Sequence, residues 1–212
     1  MRFETIRFIE WMKTKGQTKV NLCRSSVRNF PLKDLDVKRE ELGIYGPNDY
    51  GYLPLLEAIA SRYKVKEENV VTAVGSSHAI FLVCAALIER GDEVLIETPV
   101  YEPLLAVPKA FDAVTSRFER RYDDGYQVDL ESFSSLLSPK TKLVILTNLH
   151  NPSGALLSRR DLKDLVGISH KIGAWVLVDE IYLEFLEGME SETSFSLEEN
   201  IIVISSLTKV FG

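Results

Sequence analysis

An α/β fold, with a mainly parallel sheet in three layers and helices on both faces, is predicted by three features of this 212-residue chain. Its strand-like segments are short apolar runs without polar alternation, which implies burial on both faces. They alternate with helical segments, the arrangement that builds parallel sheets. Helix start and stop signals punctuate the alternation, the clearest being Ser158 with Asp161 at a start and Gly173 at a stop.

Taken in order, the first fifty residues mix polar and apolar types around an amphipathic start and the loop-like NFPLKDLD and YGPNDYG, and read as an arm outside the core. From Tyr52 the pattern turns regular. A helix over LPLLEAIASRYK, a strand NVVTAV and a helix from Ser77 to Arg90 are followed by the strand EVLIET. A helix over about 101–110, the strand AVTSRF, a short helix near DLESFSSLL and the strand KLVILTN come next. The helix marked by Ser158 and Gly173 leads to the strand WVLVDE, and IIVIS is the last strand.

With 45% hydrophobic residues the chain has enough apolar content for one substantial core. A formal net charge of -6 gives no reason to expect nucleic acid or an anionic membrane as partner, so small-molecule chemistry is the expectation. Cys23 and Cys84 are too few for a disulfide framework and are expected reduced, in a cytoplasm. The start lacks the uninterrupted apolar stretch of a secretory signal, and the run Ala79–Ile88 falls short of the ~20 residues a bilayer span needs.

Parallel α/β sheets gather ligands at the carboxyl ends of their strands. Standing there in the predicted order are Gly75-Ser76-Ser77, Tyr101, Asn151, Asp179 with Tyr182, and Ser206, Thr208 and Lys209. Gly75-Ser76-Ser77 opens a helix, where free N–H groups and the dipole favour a phosphate. Asp179 ends a run of apolar residues, where an unpaired carboxylate is costly, so it should face a cation or strong donors. Lys209 leaves a buried strand, a setting suited to imine chemistry because desolvation exposes an amine's lone pair. Each residue has an ordinary explanation by itself. Ser77 suits an N-cap, Asp179 a structural ion pair or cap, Asn151-Pro152-Ser153-Gly154 a turn, Tyr101 packing and Lys209 a solvated surface.

The set in this order resembles the class I/II aminotransferases, fold-type I enzymes that use pyridoxal 5'-phosphate. GSSHAI resembles the family's phosphate loop, TPVY the segment of the ring-stacking aromatic, and NLHNPSG its N-P-[TS]-G turn. VDEIY resembles its D-x-x-Y segment, and SSLTKVFG the segment with the Schiff-base lysine. The resemblance runs from about Tyr45 to Gly212 and implies a role for each residue. Lys209 would bind the cofactor covalently and shuttle a proton. Asp179 would keep the pyridine nitrogen protonated, while Tyr182 and Asn151 would donate to the phenolic oxygen. Tyr101 would stack on the ring, and Ser76, Ser77 and Ser206 would hold the phosphate. His78 is expected on its helix's first turn and His150 in a turn or beside the site, neither with a catalytic role; no metal ligands are assigned.

Tyr45 resembles the tyrosine that reaches the cofactor phosphate of the partner subunit, with Tyr50 as the alternative because the spacing to Gly51 is one residue longer than the family's. The implied organisation is an arm and part of a small domain over 1–50 and a cofactor-binding large domain over 51–212. That large domain is expected to be incomplete at its C-terminus and to lack the small C-terminal domain. The implied activity moves an amino group from an L-amino acid to a 2-oxo acid, in a homodimer with shared sites. The rivals are a C–S lyase or decarboxylase on the same cofactor, a non-catalytic cofactor-binding fragment, and a ligand-sensing regulator on the same fold. Ser25 and Ser26 stand where relatives often have a glycine near substrate, and Arg24 and Arg28 flank them.

Overall fold

A computed structural model describes residues 2–15, 18–28, 30–43, 46, 50–186 and 192–212. Helix α1 (Arg7–Lys15) lies in the arm; α2 (Leu53–Tyr63) and α3 (Ser76–Leu87) precede the sheet. Strands β1 (Glu93–Thr98), β2 (Val114–Glu119), β3 (Thr141–Thr147), β4 (Trp175–Asp179) and β5 (Ile201–Ile204) follow. They are joined in part by α4 (Glu102–Ala110), α5 (Leu130–Ser135) and α6 (Arg159–His170), and α7 (Leu207–Val210) comes last.

The five strands form one parallel sheet in the order β2-β1-β3-β4-β5. Side-chain parity along the strands sorts the core into two layers. Val94, Ile96, Leu143, Ile145 and Leu177 pack with Ile80 and Cys84 of α3 and Leu104 and Val107 of α4. Leu95, Val144, Leu146, Val176 and Val178 pack with Phe133 of α5 and Leu162, Leu165 and Val166 of α6. The three predicted layers are present, and the apolar runs lacked alternation because both faces are covered.

The helix signals act as the sequence implies. Ser158 Oγ accepts from Asp161 N–H at 3.0 Å, capping α6, whose buried residues Leu162, Leu165, Val166 and Ser169 lie on one face. Gly173, at φ 77, closes the turn after it, its N–H donating to His170 O at 2.9 Å. Helix α3 ends at Leu87, before Arg90, because Ile88 is extended and Asp92 Oδ2 accepts from Glu89 N–H at 2.9 Å.

The expected strand NVVTAV does not form. A 3-10 turn over Glu67–Asn69 is followed by backbone that joins no ladder, with Val71 82% and Val74 89% exposed. A strand exists through its ladder, and this segment pairs with none of the five strands of the described sheet.

Chain order sets the ligand-facing crevice. From β1 the chain steps out to β2 through α4 on one face, then returns past β1 to β3 through α5 on the other. That reversal puts a topological switch point between the carboxyl ends of β1 and β3, where open α/β sheets bind ligands.

Candidate functional site

The residues that follow β1, β3, β4 and β5 share this edge with the start of α3. Gly75 adopts φ 80 as the N-cap of α3, and nothing lies within 4 Å of where a Cβ would sit. A side chain at that φ would be strained and would fill the open space before the helix. The first-turn N–H groups of Ser76 and Ser77 have no intrahelical acceptor and face that opening with the helix dipole. His78 stands on this first turn, its Nδ1 accepting from Val74 N–H at 3.1 Å.

Tyr101, half-buried, is the N-cap of α4 and packs against the α3/α4 core layer, as does Tyr182. Burial pushes the Tyr101 hydroxyl up; a hydrogen bond with Ser77 opposes this, and Asp179 and Tyr182 reinforce it. Tyr101 thus stands within electrostatic reach of Ser77, Asp179 and Tyr182. The arm closes over Tyr101 from outside: Phe8 meets its ring edge-on, with centroids 6.0 Å apart and planes at 85°. Glu102 anchors that contact by accepting from the N–H groups of Arg7 at 3.1 Å and Phe8 at 2.7 Å, so a side chain of α4 caps α1.

Asp179 ends β4 at 2% exposure, on the strand parity of Leu177 and thus on the α3/α4 face. Its Oδ1 accepts from Ile181 N–H at 3.1 Å. Burial pushes its carboxyl up to about 7 and Glu180 adds to this, while the Ile181 bond and Lys209 pull it down. A carboxylate held this weakly in an apolar strand end suits a cationic partner.

Lys209, half-buried on α7, donates from Nζ to Ser25 Oγ at 2.8 Å. Its carbonyl accepts from Val27 N–H at 3.0 Å, so the arm runs beside the lysine segment. Gly212 lets that approach happen, since a Cβ there would lie 2.9 Å from Arg28 O and Phe30 N. Ser206 Oγ and Thr208 Oγ1 are 3.1 Å apart at the same loop.

Asn151, half-buried, belongs to the turn after β3, and its N–H donates to Thr147 Oγ1 at 2.8 Å. His150, 1% exposed, ties this turn to the segment bearing Tyr101, because its Nε2 lies 3.0 Å from Pro99 O. A carbonyl only accepts, so Nε2 carries the proton and Nδ1 accepts from Ser153 Oγ at 2.6 Å. Burial, with Arg120 nearby, pushes His150 down to about 4, consistent with this neutral tautomer. Tyr45 lies outside the described residues, and its alternative Tyr50 is fully exposed.

Two groups escaped the sequence reading: the arm contacts through Phe8 and Glu102, and a buried pair, Glu97 with Arg120, beneath the β1/β3 crevice. A charge inside an apolar strand was the signal that singled out Asp179, and it stood equally in EVLIET.

The donor set fits pyridoxal phosphate group by group. An anion cradle, a ring-sized aromatic, a buried carboxylate, an amide with a phenol, and an amine occupy one edge. Together, fold and site define a parallel α/β protein with an open helix N-terminus, a buried carboxylate and a lysine gathered at the strand ends. The model for aminotransferase class I and II matches residues 17–212, and the chain belongs to that family. It is 26% identical over 174 residues to a probable aspartate aminotransferase of Methanocaldococcus jannaschii, covering 79% of this chain and 46% of that protein. It is 31% identical to an arginine–pyruvate transaminase of Pseudomonas aeruginosa, covering 75% of this chain and 43% of that protein. A solved PLP-dependent aminotransferase from Streptococcus suis superposes with a TM-score of 0.72 at 31% identity, over 76% of this chain and 43% of that one. The chain thus spans less than half the length of these relatives.

Proposed function

We propose that this chain is the cofactor-binding part of a pyridoxal 5'-phosphate-dependent aminotransferase, which moves an amino group from an L-amino acid to a 2-oxo acid. The observation that carries the reading is Asp179, buried at the end of β4 within electrostatic reach of Lys209 and Tyr101. When bound, the cofactor supplies an electron sink for the substrate's α-carbon.

The chain's own residues do the rest. Lys209 would be the covalent anchor and, once free, would accept and return a proton at Nζ. Asp179 would favour a protonated pyridine nitrogen through its opposite charge. Tyr182 and Asn151 would donate to the phenolic oxygen, and Tyr101 would cover the ring. Gly75, Ser76, Ser77 and Ser206 hold the phosphate through N–H groups and hydroxyls. The 51–212 region forms the cofactor domain and 1–50 the arm. The working assembly is a cytoplasmic homodimer in which Tyr45 reaches the partner's phosphate. That the relatives described above are aminotransferases supports transamination over a lyase reaction.

The test is chemical trapping. The chain is incubated with pyridoxal phosphate, reduced with borohydride and mapped by mass spectrometry. The expected result is a single pyridoxyl adduct on Lys209. Its absence, or scattered labelling of surface lysines, overturns the reading.

A further inference from the structure

Beneath the crevice lies a closed chain of hydrogen bonds that the roles above leave unused. Glu97 and Arg120 have fully buried side chains and meet through Arg120 Nη1 and Glu97 Oε2 at 2.9 Å. Glu97 Oε1 accepts from Thr147 N–H at 2.7 Å and from Thr147 Oγ1 at 2.6 Å. Arg120 also donates to Thr147 O at 3.0 Å and, through Nε, to Tyr126 O at 2.7 Å. Its Nη2 is buried without an acceptor among the described residues.

The directions of these bonds are forced. Asn151 offers Thr147 Oγ1 an N–H at 2.8 Å, so the hydroxyl must accept there. Its only proton is then committed to Glu97 Oε1. That oxygen takes a second donor from the Thr147 backbone, so it must be unprotonated. Arg120 on Oε2 supplies the charge that keeps it so against burial. Thr147 is thus held rigidly from one side and grips the Asn151 N–H with the other.

We propose that Glu97, Arg120 and Thr147 form a positioning relay that fixes the turn after β3, so that the Asn151 amide is set where it meets the cofactor's phenolic oxygen. This rests on the cofactor reading above, but the placement of Asn151 does not. None of the three touches the reacting atoms; they act through Asn151.

The experiment compares Thr147→Val, which keeps the shape and removes both hydroxyl bonds, with Thr147→Ser, which keeps them. In the cofactor-free protein, amide exchange of the Asn151 N–H is followed by NMR. It should speed up roughly five- to tenfold in Thr147→Val and stay slow in Thr147→Ser. With pyridoxal phosphate bound, the pH midpoint of the visible band should rise by about one unit in Thr147→Val and recover in Thr147→Ser. A lowered Tm with unchanged exchange and midpoint makes the relay merely structural and overturns the proposal. If wild type shows no Lys209-dependent band, the cofactor reading fails, and the exchange measurement alone decides the relay.

Discussion

Two strand ends in this sheet carry a buried carboxylate, Glu97 on β1 and Asp179 on β4, at 0% and 2% exposure. Burial pushes each up to about 7. Glu97 follows the parity of Leu95 and meets Arg120 and both Thr147 donors, so its charge is answered within the protein. Asp179 follows the parity of Leu177 onto the α3/α4 face, where it accepts from Ile181 N–H and lies near Lys209 and Tyr101. One carboxylate is enclosed by protein donors; the other has a single backbone donor and, in the proposed function, faces the cofactor. The same residue class at the same kind of position serves structure or chemistry according to which face of the sheet it addresses and what charge awaits it there.

Variants on the two sides should fail differently. The largest effect belongs to the chemical side: Lys209→Ala in the active assembly should remove the visible cofactor band and lower amino transfer by at least ~10²–10⁴-fold. Absorbance and a coupled assay read both. Glu97→Gln should instead cost stability, on the order of 3–5 kcal/mol in urea unfolding, because it leaves the Arg120 guanidinium buried without its counter-charge. The paired change Glu97→Leu with Arg120→Met should recover only part of that loss: no buried charge is left alone, but Thr147 N–H, Thr147 O and Tyr126 O lose their partners. Equal losses in the single and paired variants would show that the ion pair is not what matters at this end.

A pH comparison tests the Asp179 side by itself. Asp179 is raised from 3.8 to about 7 in the folded cofactor-free chain. Between those values the folded state holds a proton that the unfolded state has released. Stability at this site is therefore greatest at low pH and falls as pH rises towards about 7, by a few kcal/mol at most. Asp179→Asn should flatten that fall in thermal unfolding of the cofactor-free protein between acid and neutral pH; an unchanged slope would contradict the shift. The smallest effect lies at a helix cap whose side chain bonds neither Glu97 nor Asp179. Ser158→Ala, which removes the α6 cap, should cost ~1 kcal/mol and leave cofactor binding untouched.

Much of the sheet was legible because burial on both faces produces apolar runs such as KLVILT and WVLVD, and caps such as Ser158 act locally. NVVTAV has the same composition but lacks a neighbour in the described sheet, and composition carries no information about pairing. Within the site, Asp179 and Lys209 were legible from their positions at strand ends. Glu97 was not recognised, because its meaning depends on Arg120, just past the end of β2, and on Thr147 at the end of β3. The bond from Lys209 to Ser25 and the capping of α1 by Glu102 join distant parts of the chain, beyond any local period.

The contrast between the two carboxylates is tested most directly by Asp179→Asn, which keeps the shape and the Oδ1 acceptor for Ile181. Affinity for pyridoxal phosphate and cofactor-free Tm are measured at pH 8 beside wild type. Affinity should fall about tenfold or more, while the cofactor-free Tm holds or rises. Unchanged affinity with a lowered Tm would mean that Asp179, like Glu97, is answered within the protein.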